Sequence, residues 1–323
     1  MYRFILRRLL WLIPTIVFVT FVVYVGIRIG WDPVKTYLLA NPRAGKKKIA
    51  QYIEVNGLYE GAWGYVRGYF EWLWRFVQGP DEWPRSIKGS AAVWPELRYS
   101  IFNTLRLAGV AAVVGIGLGL AVGIQAARKP GGWFDSIANT TAFFVGAVPP
   151  FVSAVVLQLV FAVQFKILPV GGVYPPGQQG FDLVLMIKHL ILPVTVVAIQ
   201  TIAAYSRYMR ASLLDVKSSD FVRTARSKGI SEGRILFRHG VRNAMIPVVT
   251  VLALDIGALI GGLIITEAIF NYNGMGDYFI NSSTAGDFPK LMPYLVIIIA
   301  SVLIFNLIAD ISYALLDPRI RLD

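Results

Sequence analysis

The chain contains no cysteine, only two histidines and few charged residues. The absence of cysteine excludes disulfide bonds and thiolate metal sites. His189 and His239 lie fifty residues apart, which leaves little for a histidine metal site or a His-dependent triad. Charged residues make up 15% of the 323 residues, against about 25% in soluble globular proteins, while the apolar set AVILMFWYC makes up 56%. A chain this apolar does not remain disordered, and the composition indicates an integral membrane protein.

Six apolar runs are long enough to cross a membrane, since about 20 helical residues span the roughly 30 Å of hydrocarbon. They cover residues 9–29, 101–126, 136–163, 187–206, 243–265 and 291–315. The runs are continuous and lack the alternating pattern of a membrane β-strand. The sequence therefore predicts an all-α integral membrane protein with six transmembrane helices.

Proline and glycine inside these runs predict how the helices bend and pack. Pro149-Pro150 and Pro193 should bend or break their helices, because proline lacks a backbone donor and clashes with the preceding turn. Three glycines repeat at every fourth position of the second run: Gly115, Gly119 and Gly123. They share one helix face, which predicts the close approach of a neighbouring helix.

The distribution of positive charge predicts the orientation in the membrane. The segments assigned to the inside carry sixteen Lys and Arg residues, whereas the two short outer loops hold only Lys166, Lys188 and Lys290. This asymmetry places both termini in the cytoplasm. The first run is too long for the apolar part of a signal peptide and is interpreted as a retained helix. The net charge of +12 would suggest nucleic acid in a soluble protein; here the expected partner is membrane lipid and not nucleic acid.

The predicted domains are the N-terminus with the first helix (residues 1–29), a long extracytoplasmic loop (30–100) and a five-helix core (101–323). The outer loop holds six of the eight tryptophans, interleaved with tyrosine and phenylalanine. Trp and Tyr favour the membrane–water interface. We therefore expect a helix near residues 62–78 against the outer leaflet or over a pore mouth, with stacking on a substrate as the alternative.

The segment KSSDFVRTARSKGISEGRILFRHGVRNAMIP lies in and just after a predicted cytoplasmic loop, residues 207–242. Asp220 can cap a short helix over 221–228, and Gly229 suits the left-handed residue that ends such a helix. Ser231 can cap a second helix that continues into the fifth run. The pattern predicts two short helices joined at a glycine and projecting into the cytoplasm.

These two helices offer both apolar and basic side chains. The first is expected to expose Phe221, Val222 and Ala225. The second carries a basic stripe made of Arg234, Arg238 and Arg242. The stripe alone fits a loop that binds anionic lipid headgroups, whereas the apolar residues favour insertion into a groove on another protein.

The segment that joins these helices is similar to the cytoplasmic EAA loop of ABC importer membrane subunits. The spacing Ala225-x-x-x-Gly229 ahead of RHGVRNAMIP carries this likeness, with Arg223-Thr224-Ala225 where the general consensus has Glu-Ala-Ala. The whole chain resembles the dipeptide/oligopeptide/nickel permease branch of that family, whose variants of the loop look the same. Four further blocks carry this resemblance: MYRFILRRLLWLIPTIVFVTFVVY, SIFNTLRLA, GGLIITEAIFNYNGMGDY and NLIADISYALLDPRIR.

The resemblance implies the type I importer fold in the plasma (inner) membrane. It also implies an importer with a second homologous permease subunit, two cytoplasmic ATPase subunits and an extracytoplasmic solute-binding protein. The loop would dock in a cleft of an ATPase through seven residues: Phe221, Val222, Thr224, Ala225, Arg226, Lys228 and Gly229. ATP and Mg would be bound by the ATPases, and this chain is expected to carry no cofactor, metal or catalytic residue. It contains no G-x-x-x-x-G-K-[ST], H-E-x-x-H or G-x-S-x-G motif.

Two carboxylates are candidates for the translocation path. Asp255 lies in the middle of the fifth run, where ionisable side chains are costly and therefore point to a function. It could equally pair with Arg106 or hydrogen-bond a neighbouring helix. Glu267 is expected at the outer end, near the mouth of the path.

The predicted function is the import of di- or oligopeptides, and the same architecture could import oligosaccharides or nickel. An ion-coupled secondary transporter is the alternative from a different class, although such a carrier needs no loop that docks an ATPase. A membrane protein without a transport role is a third alternative, which the mid-span Asp255 and the broken helices disfavour.

Overall fold

The computed structural model describes residues 2–175 and 182–316, and these form helices, turns and connecting segments without a strand. The chain divides into two compact units. Unit 1 comprises Met1–Thr104 and Asn273–Ile304, and unit 2 comprises Leu105–Tyr272 and Phe305–Asp323.

The described residues form fourteen α-helices. In chain order they are α1 (Tyr2–Gly30), α2 (Pro33–Ala40), α3 (Lys46–Asn56), α4 (Gly61–Gln78), α5 (Val93–Arg128), α6 (Trp133–Ala147), α7 (Pro150–Leu157), α8 (Leu183–Lys217), α9 (Asp220–Ser227), α10 (Glu232–Arg234), α11 (Arg242–Gly262), α12 (Ile264–Ile269), α13 (Met275–Thr284) and α14 (Phe288–Leu316). A 3₁₀ turn covers Pro80–Glu82, and π-helical segments cover Gln158–Gln164 and Ile235–Val241. Asp32 and Asp182 cap α2 and α8, because each carboxylate accepts hydrogen bonds of 2.9–3.0 Å from two amides of the first turn.

Four described helices are long and apolar enough to cross a membrane: Leu10–Gly30, Val93–Arg128, Leu183–Lys217 and Phe288–Ile308. They correspond to the first, second, fourth and sixth predicted runs. The third run is a broken pair, since α6 and α7 are bent by 96° at the break before Pro150, as the two prolines predict. Pro193 lies inside helix α8 and does not break it, unlike Pro149-Pro150, which interrupt the third run. A membrane helix tolerates one missing backbone hydrogen bond when neighbouring groups compensate. The fifth run forms α11, and the count of six spans stays a prediction.

The predicted helix near residues 62–78 is α4, and its two faces differ. Tyr69 and Trp72 are buried in the core of unit 1 together with Tyr24 of α1. The Tyr24 hydroxyl donates to the carbonyl oxygen of Gly57 at 2.7 Å, which fixes the end of α3 beside α1. The exposed face carries Trp63, Phe70 and Trp74. One part of the aromatic pattern therefore builds a core, and the other part is left for the predicted membrane interface.

The glycine face of α5 packs closely against α8 in unit 2, which confirms the prediction from the sequence. A Cβ atom added at Gly119 would lie 2.9 Å from the Cβ of Tyr205, and one added at Gly123 would lie 2.6 Å from the carbonyl oxygen of Ser206. Real Cβ atoms do not approach backbone oxygens so closely, so the two helices meet at a distance that only glycine permits.

We expect Gly123→Ala to destabilise the chain by about 1–3 kcal/mol, the usual range for inserting an extra methyl group into a packed contact. Gly117→Ala is the matched control, because Gly117 lies on the same helix and a Cβ there meets nothing within 4 Å. Thermal unfolding of the purified chain in detergent measures both variants. Equal melting midpoints for Gly123→Ala and Gly117→Ala would contradict the close packing of α5 and α8.

Candidate functional site: a basic loop and an internal cavity

Loop 207–242 folds around a glycine reversal, as the sequence predicts. Helix α9 ends at Ser227, and Gly229 adopts a φ of +75° in the left-handed region. The chain then forms α10 and a π-helical turn that leads directly into α11. The expected cap is wrong by one residue: Ser219 occupies the N-cap position and Asp220 is the first residue of the helix.

The apolar face of α9 is used inside the loop and is not left exposed. Val222 and Ala225 are buried and form a small cluster with Ile235 of the returning π-helical turn. The prediction that Val222 and Ala225 are exposed is therefore wrong, because the return segment covers them. The prediction of exposure is confirmed for Phe221, whose side chain is 46% exposed. The structure also exposes a second phenylalanine, Phe237, which is 60% exposed.

The rest of the loop surface is polar and basic. The remaining residues assigned to ATPase docking are all exposed: Thr224, Arg226, Lys228 and Gly229. The basic stripe is also exposed along its length: Arg234, Arg238 and Arg242. The Arg226 Nε atom donates to a carboxylate oxygen of Glu232 at 2.6 Å and so joins α9 to α10. This hydrogen bond lowers the pKa of Glu232, which keeps the carboxylate ionised.

The base of the loop is tied to the helices of unit 2 by ionic and polar contacts. Arg210 of α8 donates through two nitrogens to the two carboxylate oxygens of Asp135 in α6, at 2.5 and 2.7 Å. Asn139 and the amide of Gly131 also donate to this carboxylate. The Lys217 ammonium donates to the carbonyl oxygen of Ala127 at 2.9 Å, at the end of α5. The loop is therefore built on a rigid base.

Asp255 opens onto an internal cavity of about 310 Å³ in unit 2. The cavity is lined mainly by α8, together with α11, the start of α12 and Pro150 at the break between α6 and α7. The α8 residues include Val197, Gln200, Thr201 and Tyr205, and Leu263 and Thr266 complete the lining. The Tyr205 hydroxyl donates to a carboxylate oxygen of Asp255 at 2.9 Å. Of the two bonding partners considered for Asp255, the neighbouring helix is thus the one observed, and no ion pair to Arg106 is present among the described residues.

The break between α6 and α7 forms one wall of this cavity. The Gln200 amide donates to the carbonyl oxygens of Val145 and Val148, at 3.2 and 3.0 Å. Pro149 has no amide hydrogen to donate to the Val145 carbonyl, which accepts from the Val148 amide at 3.1 Å and from Gln200. Glu267 does not line the cavity: its side chain is completely buried, and the neighbouring Thr266 is the lining residue.

Long apolar helices, a mostly apolar cavity that holds one carboxylate and a basic two-helix loop fit the membrane subunit of a transporter. Residues 90–322 match the family described as binding-protein-dependent transport system inner membrane component. The chain belongs to this family of ABC importer permeases, in the dipeptide and oligopeptide permease branch.

Two relatives match along almost the whole chain. The oligopeptide transport system permease protein AppB of Bacillus subtilis is 36% identical over 99% of this chain and 100% of its own length. The glutathione transport system permease protein GsiC of Escherichia coli K12 is 32% identical over 99% of both chains. Among solved structures, the inward-facing MetNI methionine ABC transporter matches with a TM-score of 0.54 at 15% identity, covering 69% of this chain and 96% of that one. This last likeness concerns the fold alone.

Proposed function

We propose that this chain is the permease subunit of a binding-protein-dependent ABC importer for di- and oligopeptides, and that the Asp255 cavity forms part of the translocation path. The observation that carries the proposal is the position of Asp255. This carboxylate lies inside an apolar helix, lines a cavity and forms no ion pair among the described residues. A charge at the centre of a membrane helix is costly unless it faces water or a partner.

The lining of the cavity suits a peptide. Gln200, Thr201 and Thr266 offer polar groups between apolar side chains, a mixture that suits a solute with amide groups and varied side chains. The hydrogen bond from Tyr205 satisfies one carboxylate oxygen of Asp255 and leaves the other able to accept from an ammonium or amide group. The two long relatives carry names for peptide and glutathione transport, which favours peptides over oligosaccharides or nickel.

The basic loop is proposed to receive the ATPase subunits. Exposed Phe221 and Phe237 are side chains that a protein groove can bury. The exposed arginine stripe supports attraction to an acidic surface around such a groove. In this proposal the chain works with a second permease subunit, two ATPase subunits that bind ATP and Mg, and an extracytoplasmic binding protein, with both of its own termini in the cytoplasm.

We expect Asp255→Asn to reduce uptake of a labelled tripeptide by about tenfold, which corresponds to about 1.4 kcal/mol. The amide keeps the size of the side chain but removes the charge from the cavity. Tyr205→Phe should have a smaller effect, because the carboxylate remains and loses only its hydrogen-bond donor. Glu54→Gln is the control, since Glu54 is exposed on α3 and belongs neither to the Asp255 cavity nor to loop 207–242.

Uptake is measured in membrane vesicles that hold the assembled importer, together with the melting midpoint of each purified permease variant. Unchanged uptake by Asp255→Asn with a lowered melting midpoint would mean that the carboxylate only pairs with Tyr205 to hold α8 and α11 together. That result would remove Asp255 from the path.

A further inference from the structure

Unit 1 holds a second and larger cavity in the segment between α2 and the turn that follows α4. Its volume is about 720 Å³, within the range of about 300–1,000 Å³ that is usual for small-molecule sites. The walls come from the ends of α2 and α4, from α3 and from the turn over residues 79–90. This segment belongs to the predicted extracytoplasmic loop, and no residue of the Asp255 cavity or of loop 207–242 takes part in it.

The walls of this outer cavity are fixed by aromatic stacking and polar contacts. Tyr37 and Tyr52 stack with their ring centres 4.1 Å apart and nearly parallel planes. Trp83 stacks on Phe76 at 4.9 Å and also donates from its indole nitrogen to the carbonyl oxygen of Phe76 at 3.0 Å. Asn41 donates to the carbonyl oxygen of Ile87 and ties α2 to the turn. A cavity held in this way is formed before any ligand enters it, which lowers the cost of binding.

Four cationic side chains line the cavity, Arg43, Lys48, Arg75 and Arg85, and of these Arg75 interacts electrostatically with the Glu71 carboxylate. Among the described residues, none of the four lies within ion-pair distance of a carboxylate, and Arg85 makes one hydrogen bond, to the carbonyl oxygen of Ser90. Asp81 and Glu82 also line the cavity, likewise outside any ion pair among the described residues. A concave site with unpaired guanidinium groups suits a carboxylate ligand, and the two acidic side chains suit an ammonium group on the same ligand.

Two buried polar atoms at the cavity wall lack hydrogen-bond partners. Tyr52 and Asn56 both line the cavity, and both side chains are more than nine-tenths buried. The Asn56 amide nitrogen donates to the carbonyl oxygen of Tyr52 at 2.9 Å, whereas the Asn56 Oδ1 atom and the Tyr52 hydroxyl have no partner among the described residues. Buried polar groups in proteins are nearly always paired. Both atoms are themselves fully buried and do not open onto the cavity, so a ligand in the cavity does not reach them.

We propose that this outer cavity is a peptide-binding site of the permease itself, separate from the translocation path. A short peptide carries both the carboxylate that suits the cations Arg43, Lys48 and Arg85 and the ammonium group that suits Asp81 and Glu82. Only the solute class rests on the proposed function. The site would hold a peptide outside the membrane before it reaches the path.

The test is calorimetric titration of trialanine into the purified full-length chain in lipid nanodiscs. Trialanine should bind the wild-type chain, and trialanine amide, which lacks the carboxylate, should bind at least about tenfold more weakly because the charge-assisted contact is lost. Arg75→Gln should weaken trialanine binding by a similar factor. Tyr52→Phe, which removes only a hydroxyl that the cavity does not reach, should leave trialanine binding unchanged.

Lys48→Gln and Lys47→Gln form a matched pair on α3, because Lys48 lines the cavity and Lys47 does not. Only Lys48→Gln should weaken binding. Both lysines are exposed, so this pair and the trialanine amide comparison decide the question even if Arg75→Gln or Tyr52→Phe fails to fold. Equal binding of trialanine and its amide, equal binding by the two lysine variants, or no heat of binding at millimolar peptide would each overturn the proposal.

Two variants outside the cavity separate this site from the proposed function. Gly229→Val, which lies outside both cavities, is expected to lose uptake but to bind trialanine as the wild type does. Asp255→Asn is expected to lose uptake and to keep the outer-site binding that Lys48→Gln weakens. Loss of trialanine binding by Asp255→Asn, with normal binding by Lys48→Gln, would place the peptide in the inner cavity and overturn the outer site. Normal uptake by both variants with intact trialanine binding would contradict the proposed function and leave the outer site supported.

Discussion

Gly229→Val should abolish ATP-driven uptake and the recovery of ATPase subunits with the permease, while the chain still inserts into the membrane. Gly229 has a φ of +75°, a conformation that costs an L-residue about 1–2 kcal/mol and disfavours β-branched residues most. A Cβ atom at Gly229 would meet nothing within 4 Å. The expected damage is therefore to the backbone of the reversal and not to packing.

The reversal is held by two backbone hydrogen bonds that valine would disturb. The Gly229 amide donates to the carbonyl oxygen of Arg226 at 2.9 Å, and the next amide, of Ile230, donates to Ala225 at 3.3 Å. A change of φ would turn the chain away from α9 and separate Ile235 from Val222. The two short helices would then no longer present Phe221 and Phe237 together.

Gly233→Val is the matched control. Gly233 lies in α10 of the same loop, without a positive φ and with no atom within 4 Å of an added Cβ. Recovery of the complex through tagged ATPase subunits and uptake in vesicles should both stay near normal for this variant. If Gly229→Val and Gly233→Val gave the same recovery and uptake, the glycine reversal would have no part in docking.

Phe221→Ser separates docking from folding of the loop. The side chain is exposed and outside the Val222–Ala225 cluster, so its removal should leave the loop intact and still weaken recovery of the ATPases. A loop that only binds lipid headgroups through its arginines would lose nothing with Phe221→Ser. Normal recovery of the complex would favour that second interpretation.

The features that could be predicted from the sequence are those that a few neighbouring residues determine. Glycines four residues apart share a helix face whatever surrounds them, so the packing of α5 against α8 follows from Gly119 and Gly123. Gly229 ends α9 because few other residues adopt its φ. Family membership was predictable because the matching blocks occur in order along the chain.

The features that the sequence did not reveal depend on long-range contacts. The apolar side chains of Val222 and Ala225 could pack either against another protein or against Ile235. Only the path of the returning turn shows that they pack against Ile235. The 96° bend at Pro150 could be expected in kind but not in angle. The outer cavity also depends on long-range contacts, because α3 and the turn over residues 79–90 supply different walls. Family membership contradicts the alternative of an ion-coupled carrier, which composition alone left open.

The pairing of Asp135 with Arg210 was also missed, although one signal was present. Asp135 is an acidic residue in the first turn of α6, close to the basic residues Arg128 and Lys129 of a predicted inside segment. The two residues are separated by 75 positions, so the partner could not be read from spacing. In the structure the side chain of Asp135 is 3% exposed and the side chain of Arg210 is 26% exposed.

Asp135→Asn should destabilise the chain by about 3 kcal/mol, the lower end of the range for removing one partner of a buried ion pair. Asparagine preserves the size of the side chain and can still accept from the amide of Gly131, so the loss reports the uncompensated charge of Arg210. Adding Arg210→Gln to this variant should restore part of the stability, because the isolated charge is gone. Urea or thermal unfolding of the purified chain in detergent measures all three proteins.

Glu232→Gln is the control for this prediction, because Glu232 forms an ion pair with Arg226 at a similar distance but on the exposed loop. Water screens that pair, so its loss should change the unfolding midpoint little. Arg210 belongs to α8, which also carries Tyr205 and continues into the two short helices of loop 207–242. The Asp135 pair therefore fixes the end of the helix that supports the docking surface. Asp135→Asn is therefore also expected to lower recovery of the ATPases, and Asp135→Asn/Arg210→Gln should recover part of it. Equal stability of Asp135→Asn and Glu232→Gln would show that the pair between α6 and α8 does not stabilise this base.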